Sequence, residues 1–577
     1  MKSKYYRQDQ HHSRKSLLLL TIWVALGFVL RWANLSLKPA SSIEIATIGY
    51  SLGHGFNAIP LDRLVSIDTL LVPLRLDTGI GYAEVFNRLV EESTHPPVYF
   101  WLTHWWANLW LNDGDLVSLS VARSLSAVFG TLAIPAMFGL GWVAFRSRVI
   151  AHMAAVLMAI SPYGIYLAQE ARHYTLTVLW VIASLTCLCQ TIRFIQQKVS
   201  VPLWLALIWT VVNALGIATH YFFVLALGAE AIALVIFWQY NFNQLSFKPF
   251  KHLKGLYFVG IGTLASGLVW LPIIKSVSRN EMTTWIETSY ELKDILLPLP
   301  RLLAWIITMF MLLPIEGVPE ILAIVFGIII LAVLIWVIPP LLAKRHSLFT
   351  NSQIRPSIIL IAGYLIGSLI IFLLLIYVMG KDVSLAARYH FVYFPGLILL
   401  VAVVLAACWQ QDSTFDSKLF KRNLFAAANR VVTVWLMMGL LGSFTIVSNF
   451  GFQKSLSSDR LAAHIQQTTN LPTIVAMTHK THSEIRELVA VALSFERLSV
   501  DEAQLPQFIL VPQNQVGANF VDSNLGEILA TQTKPFSLFG INLDIEDDKL
   551  KQLGCVRDRS IDLSKSGYSD RFYHCNF

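Results

Sequence analysis

Charged side chains are scarce: Asp, Glu, Lys and Arg make up 14% of the 577 residues, and mean hydropathy is +0.58. So little charge excludes a chain that is soluble throughout, because the apolar residues come in repeated blocks near the length that crosses a bilayer. Glycine-rich phosphate loops are missing, as are Cys and His at zinc spacing, so neither a nucleotide engine nor a zinc module is expected. No internal repeat stands out, which weighs against a transporter built from inverted halves. Only five cysteines occur. Cys187, Cys189 and Cys408 fall within or at the end of apolar runs, whereas Cys555 and Cys575 lie in a polar tail, where an oxidising compartment favours their pairing. The net charge of +8 does not imply a nucleic-acid partner, because Lys and Arg cluster in short loops between apolar blocks.

What is present is the pattern of an α-helical polytopic membrane protein. Apolar spans are predicted at 17–33, 123–145, 150–168, 175–194, 201–219, 222–240, 255–274, 320–343, 357–378, 391–409 and 431–449, about eleven in all. The basic start MKSKYYRQDQHHSRK is expected to stay cytoplasmic ahead of an uncleaved first span, since no small-x-small cleavage site follows. Counting from there puts RSR at 146–148, QQK at 196–198, KPFKHLK at 248–254, KRH at 344–346 and KLFKR at 418–422 inside, as the positive-inside rule requires. The loop 34–122, QEARHY at 169–174, GKDVSLAARYH at 380–390 and the tail then lie outside a bacterial-type plasma membrane. Two shorter apolar stretches, 95–110 and 301–314, are expected at the interface. The expected division is a transmembrane domain over 1–449 and a small extracytoplasmic α/β domain over 450–577. In the latter, TIVAMTH and QFILVPQ read as strands and HSEIRELVAVALSFERL as an amphipathic helix.

Chemistry is then expected from polar groups on the outer side. Glu44, in the first outer loop with Lys38 upstream, is a candidate general base, although a loop Glu is more commonly a solvated residue. Arg172, between Glu170 and Tyr174, presents a planar fork of donors suited to phosphate; the bland alternative is an interfacial anchor. If this stretch is helical, Glu170 and Tyr174 share a face and Arg172 points elsewhere. Arg388, Tyr389 and His390 form a second such group, and His220 with Tyr221 adds a further polar point. Glu230 falls within a span, where a carboxylate is costly and is either functional or a hydrogen-bonded packing residue.

Several short motifs occur together in one order: His95-Pro96-Pro97, Arg123-Ser124-Leu125-Ser126, Ser161-Pro162, Gln169-Glu170-Ala171-Arg172 with Tyr174, Thr219-His220-Tyr221 and Arg388-Tyr389. Over roughly the first 400 residues this series resembles the GT-C superfamily of membrane glycosyltransferases. It is most similar to the bacterial family-39-like enzymes, relatives of protein O-mannosyltransferases and of lipid A aminoarabinose transferases. The resemblance implies a multi-helix membrane domain that moves a sugar, in a hexosyl- or mannosyl-type transfer, from a polyprenyl-phosphate donor to a lipid, glycan or protein acceptor outside the cytoplasm. It implies donor-phosphate contacts from Arg172, Arg388 and Tyr389, and a pocket that includes Glu170, Tyr174, His95 and His220.

One position departs from the family pattern. Related enzymes carry an Asp-Glu pair in the first outer loop, and here Ile43 stands at the Asp position while Glu44 matches the second acid. Three outcomes stay open: Glu44 serves as base; Asp62, Asp68 or Glu84 does; or transfer has been lost. A divalent cation near Glu44, Glu170 and the lipid phosphate is compatible with the residues, which do not define a site for it. A non-catalytic carrier binder or translocator, and an O-antigen ligase or polymerase, are the other classes.

Overall fold

A computed structural model describes residues 2–93, 95–241, 254–273, 285–288, 291–409, 420–498, 505–513, 524–533, 535–561 and 566–575. The helices begin with α1 (Lys2–Trp32), α2 (Ser42–Ser51), α3 (Ile67–Leu71), α4 (Tyr82–Glu92), α5 (Val98–Trp110) and α6 (Leu119–Phe145). They continue with α7 (Arg148–Ala159), α8 (Pro162–Ala168), α9 (Tyr174–Gln196), α10 (Leu203–Thr219), α11 (Phe223–Asn241) and α12 (Lys254–Leu268). Next come α13 (Leu292–Leu296), α14 (Pro298–Thr308), α15 (Glu320–Ala343), α16 (Arg345–Thr350), α17 (Arg355–Tyr377), α18 (Phe394–Trp409) and α19 (Phe420–Val447). The tail runs α20 (Ser458–Thr468), β1 (Thr473–His479), α21 (His482–Arg497), β2 (Gln507–Pro512), α22 (Asn524–Thr531), β3 (Phe536–Ile541), α23 (Asp547–Gln552), β4 (Cys555–Arg557) and β5 (Asp570–Cys575).

The chain divides into two compact units: Met1–Leu35, Thr94–Tyr99 and Arg123–Phe452 form one, and Ser36–Ser93, Phe100–Ala122 and Gln453–Phe577 the other. Compactness thus groups most of the first loop with the tail, whereas the division at 449/450 follows chain order.

Every span predicted from the sequence falls on a helix of the first unit. Among the described residues seven helices are long and apolar enough to cross a membrane. The helices at 203–219, 254–268 and 394–409 are shorter, and the span predicted at 150–168 is broken into α7 and α8 with a bend of 55°. The two stretches expected at the interface form the short helices α5 and α14. The basic run at 248–254 lies outside the described residues except for its last Lys, and the one at 418–422 does so in its first two.

The break has a local cause. Pro162 has no N–H to continue the ladder, and Ser161 caps the new helix by accepting from the Gly164 N–H at 3.1 Å. Carbonyls freed inside a membrane need other donors. Arg31, with no exposed surface, donates to Met158 O at 2.7 Å and Ala159 O at 2.9 Å, and Ser443 Oγ donates to Ile160 O at 2.8 Å. At the far end of α8, Gln169 Nε2 donates to Ala33 O at 2.9 Å and Leu30 O at 3.3 Å. The bend is therefore tied to the end of α1, which fixes where the chain at 169–174 begins.

A second seam joins α11 to α17. Gly363 and Gly367, four apart on α17, face Ala233 and Ala229, four apart on α11. A methyl added at Gly367 would lie 3.0 Å from Ala229 O, and one at Gly363 would lie 3.2 Å from Ala233 Cα. Small residues on one stripe let the two backbones touch.

In the second unit the sheet order is β2-β1-β3-β5-β4. The first three strands are parallel, and β5 is antiparallel to both β3 and β4. A Cys555–Cys575 disulfide joins β4 to β5 at directly paired positions, as the cysteine count led one to expect. The predicted strand TIVAMTH coincides with β1, and QFILVPQ with β2 but for its last residue. The stretch expected to be an amphipathic helix forms α21, and Leu488 through Phe495 are all buried, because α21 lies between β1 and the first-loop helices α2 and α3. Val65 completes this by exchanging backbone hydrogen bonds of 2.9 Å with Phe508, which covers part of the β2 edge.

Candidate functional site

The bend between α8 and α9 is where most of the candidate residues meet. As expected of a link between two spans, 169–174 is not helical throughout: Gln169 ends α8, residues 170–173 form a tight turn, and α9 starts at Tyr174. The Arg172 N–H donates to Glu170 O at 2.7 Å within that turn. Glu170 and Tyr174 are consequently not neighbours on one helix face. Both are buried, each at 1% exposure.

Ser126 holds the turn in place. Its hydroxyl donates to Arg172 O at 2.9 Å, accepts from the Arg172 N–H at 3.3 Å, and accepts from the Tyr99 hydroxyl at 2.7 Å. Arg123, one helical turn earlier on α6, donates to Leu35 O at 2.7 Å. The Arg-Ser-Leu-Ser motif thus builds the frame of the site from α6, while its chemistry comes from elsewhere.

The Arg172 guanidinium is 4% exposed and lies against His95, with Nη2 3.0 Å from His95 Nε2 and 3.4 Å from the Tyr174 hydroxyl. Its Cζ stands 5.5 Å from the Tyr174 ring centre. Three imidazoles then adjoin: ring centres are 5.2 Å apart for His95 and His173, 4.4 Å for His173 and His220, and 6.4 Å for His95 and His220. His220 ends α10 and touches Phe391 at 5.3 Å, while Phe222 meets Tyr389 at 4.8 Å. Arg388, half-buried, lies 5.2 Å over the Tyr389 ring and 5.0 Å over Trp285.

The charges act on one another. Burial, then Arg172 and Arg388, push the His220 imidazole down to about 3. His173 is held well below its usual range by burial and then by His220, Arg172, His95 and Arg388. Two guanidiniums far apart in sequence therefore bear on the same imidazoles, which stay neutral at pH 7. Neither ring nitrogen of His173 has a hydrogen-bond partner among the described residues, although the residue has no exposed surface. Such a cluster favours an anion beside the guanidiniums and hydroxyl groups beside the neutral rings.

The fold brings together His95, Arg172, Tyr174, His220, Arg388 and Tyr389, with Glu170 in the same turn. His173, Tyr99, Phe391 and Trp285 were not singled out from the sequence as site residues; the motif QEARHY contained His173 in plain view. His390 serves packing, with Nδ1 2.9 Å from the Tyr393 hydroxyl. Glu230, 3% exposed, accepts from Ser184 Oγ at 2.9 Å in a network with Trp209 and Asn213.

Glu44 belongs to the second unit. It has no exposed surface, and its Oε2 lies 3.1 Å from Lys454 Nζ and 3.3 Å from the Ser41 N–H at the start of α2. Of the alternative carboxylates, Asp68 pairs with Arg75 at 3.1 Å, Glu84 caps α4 through the Gly81 N–H at 3.0 Å, and Asp62 sits at a positive φ of 61°. Among the described residues no three His, Cys, Asp or Glu side chains are grouped as metal ligands.

The crystal structure of ArnT from Cupriavidus metallidurans bound to undecaprenyl phosphate superposes on this chain with a TM-score of 0.51 at 10% identity, over 97% of each chain. The chain has the GT-C fold. The apo structure of the same ArnT gives a TM-score of 0.50 over 98% of each chain, also at 10% identity. The oligosaccharyltransferase of Archaeoglobus fulgidus in its apo form gives 0.44 at 13% identity, over 91% of this chain and 69% of that one. No family model matches the chain, and no curated protein sequence does. What identifies the GT-C fold is the arrangement of helices, with sequence identity near the background.

Proposed function

We propose that the protein transfers a sugar from a polyprenyl-phosphate donor to an acceptor on the extracytoplasmic face of the membrane, with inversion at the anomeric carbon. The observation that carries this reading is the convergence of Arg172 and Arg388 on one buried cluster of imidazoles and phenols. The basic loops, which all fall on the same side of the spans as the N-terminus, support the orientation: N-terminus in the cytoplasm, tail outside.

In the reaction the acceptor oxygen attacks the anomeric carbon and the bond from that carbon to the phosphate oxygen breaks. Its electron pair stays on the lipid phosphate, where the two guanidiniums stabilise the added charge. The acceptor proton passes to a carboxylate, assigned to Glu44. Tyr389 and Tyr174 flank the guanidiniums, and His95 and His220 face the sugar. Hexosyl transfer follows from the family resemblance; the acceptor is a lipid, a glycan or a protein.

The test is transfer from radiolabelled polyprenyl-phosphate sugars in extracted membranes, comparing the native protein with Arg172→Ala and Glu44→Gln. Loss in both variants, with membrane insertion intact, is expected. Full activity of Arg172→Ala overturns the phosphate assignment. The absence of Asp at Ile43 favours a second reading, a carrier binder without turnover. That protein would retain the labelled donor and release no free lipid phosphate.

A further inference from the structure

The start of the tail reaches back to the candidate base. Lys454, the second residue of the tail's part of the second unit, places Nζ 3.1 Å from Glu44 Oε2 and 3.2 Å from Ser41 Oγ. The ammonium side chain is 12% exposed and the carboxylate side chain is at 0%. A carboxylate so fully removed from water is driven towards its neutral acid, which cannot accept a proton. A cation in contact reverses that preference, and it does so more strongly where water is excluded.

We infer that Lys454 is a positioning residue for Glu44: it keeps the carboxylate ionised and fixed at the start of α2, and so sets the lowest pH at which the protein works. This rests on the reading of Glu44 as base.

Several other charged groups around α2 have partners of their own. From α21, Arg486 bonds the Tyr50 hydroxyl, Glu484 accepts from the Thr481 N–H, and Glu487 meets Ser483. From α4, Glu92 accepts from the Phe56 N–H at 2.9 Å, and Glu84 caps its own helix. Arg75, beside the short turn at 72–74 that also packs on α2, pairs with Asp68. Lys38 is buried on the segment before α2. Lys454 comes from the distant tail and lies in direct contact with Glu44, so transfer by this route requires the tail to be docked.

The experiment is the pH profile of kcat/KM for donor turnover in the full-length protein, with Lys454→Met, Lys454→Gln, Lys454→Arg and Glu44→Gln. Lys454→Met and Lys454→Gln should move the acid limb upward by roughly one to three pH units, with a tenfold or greater loss below it. Lys454→Gln keeps a hydrogen-bond donor and loses only charge, which guards against a folding defect in the Met variant. Lys454→Arg should restore the native limb. An unmoved limb in both neutral variants, with turnover abolished in Glu44→Gln, overturns this role and leaves the transferase reading standing. Turnover that survives in Glu44→Gln removes Glu44 from the reaction, and the role of Lys454 falls with it.

Discussion

Substituting Gly367 tests whether the α11–α17 seam sets the geometry of the site. A Cβ at Gly367 would lie 3.0 Å from both Ala229 O and Ile232 Cβ, and 3.2 Å from Ala229 Cα. Two of these three atoms are backbone, so relief requires the helices to part by a few tenths of an ångström. Overpacking of this kind costs about 1–3 kcal/mol, and the gain from Gly to Ala within a helix returns about 1 kcal/mol. The net expectation for Gly367→Ala is a loss of about 0–2 kcal/mol, rising to about 3 kcal/mol for Gly367→Leu. Gly139 in α6 is the control, because a Cβ there meets nothing within 4 Å; Gly139→Ala should be neutral or stabilising by up to about 1 kcal/mol. The seam also has a functional side, since α11 begins just after His220 and α17 ends shortly before Arg388. Thermal midpoints in detergent, paired with donor KM, should fall and rise respectively in the order native, Ala, Leu at position 367. If Gly367→Ala behaves like Gly139→Ala in both assays, the close approach of the two helices is wrong.

The Ser126 clamp predicts that Ser126→Ala lowers kcat by tenfold or more with little change in expression, because the Arg172 backbone loses two hydrogen bonds; single-turnover rates check this. Acid should loosen the first unit: His220 at about 3 in the fold takes up a proton near 6.5 once unfolded, so stability falls as pH drops below 6.5. The loss at pH 5 is about 2 kcal/mol, and melting curves of His220→Gln should be flatter over that range. The second unit should respond in the opposite sense. Glu487 and Asp570, each pushed up to about 7 chiefly by burial, favour the fold at low pH and lose that contribution as pH rises from about 4 through 7. Limited proteolysis across that range reads this. Cys575→Ser should cost about 3 kcal/mol of second-unit stability by freeing a loop closed over 20 residues, seen as a lower midpoint that reductant no longer changes.

The legible parts of the fold were those written in local patterns. TIVAMTH bounds β1 at both ends because its seven residues are β-formers between turn residues, and each apolar block longer than a bilayer is thick became a helix. Periodicity failed where a distant segment changed the surroundings. The run Leu488–Phe495 is apolar but for Ser494, and it is buried throughout because α2 and α3 cover it together with β1. The span expected over 150–168 is broken at Pro162, and Arg31 and Ser443, far away in the chain, make that break tolerable in a membrane. The site was legible as a set of motifs and not as a shape: His95, His220 and Arg388 carry no local sign that they would gather around His173. Nor did sequence distinguish Arg123 and Ser126, which build the frame, from Arg172, which lies against His95 and Tyr174.

The sharing of the second unit between an early and a late part of the chain has a consequence for how the protein is made. Residues 36–93 and 100–122 leave the ribosome long before residues 453–577, and the whole of 123–452 must be synthesised and inserted between them. At ordinary elongation rates that interval is on the order of tens of seconds. During it α2 and α3 have no α21 to cover and Val65 has no Phe508 to pair with, so the early loop waits with apolar surface exposed. The second unit is therefore a late, high-contact-order assembly, whose completion reports that every intervening helix has been threaded. A chain truncated before the tail would keep its membrane helices and leave the first loop as a target for proteases.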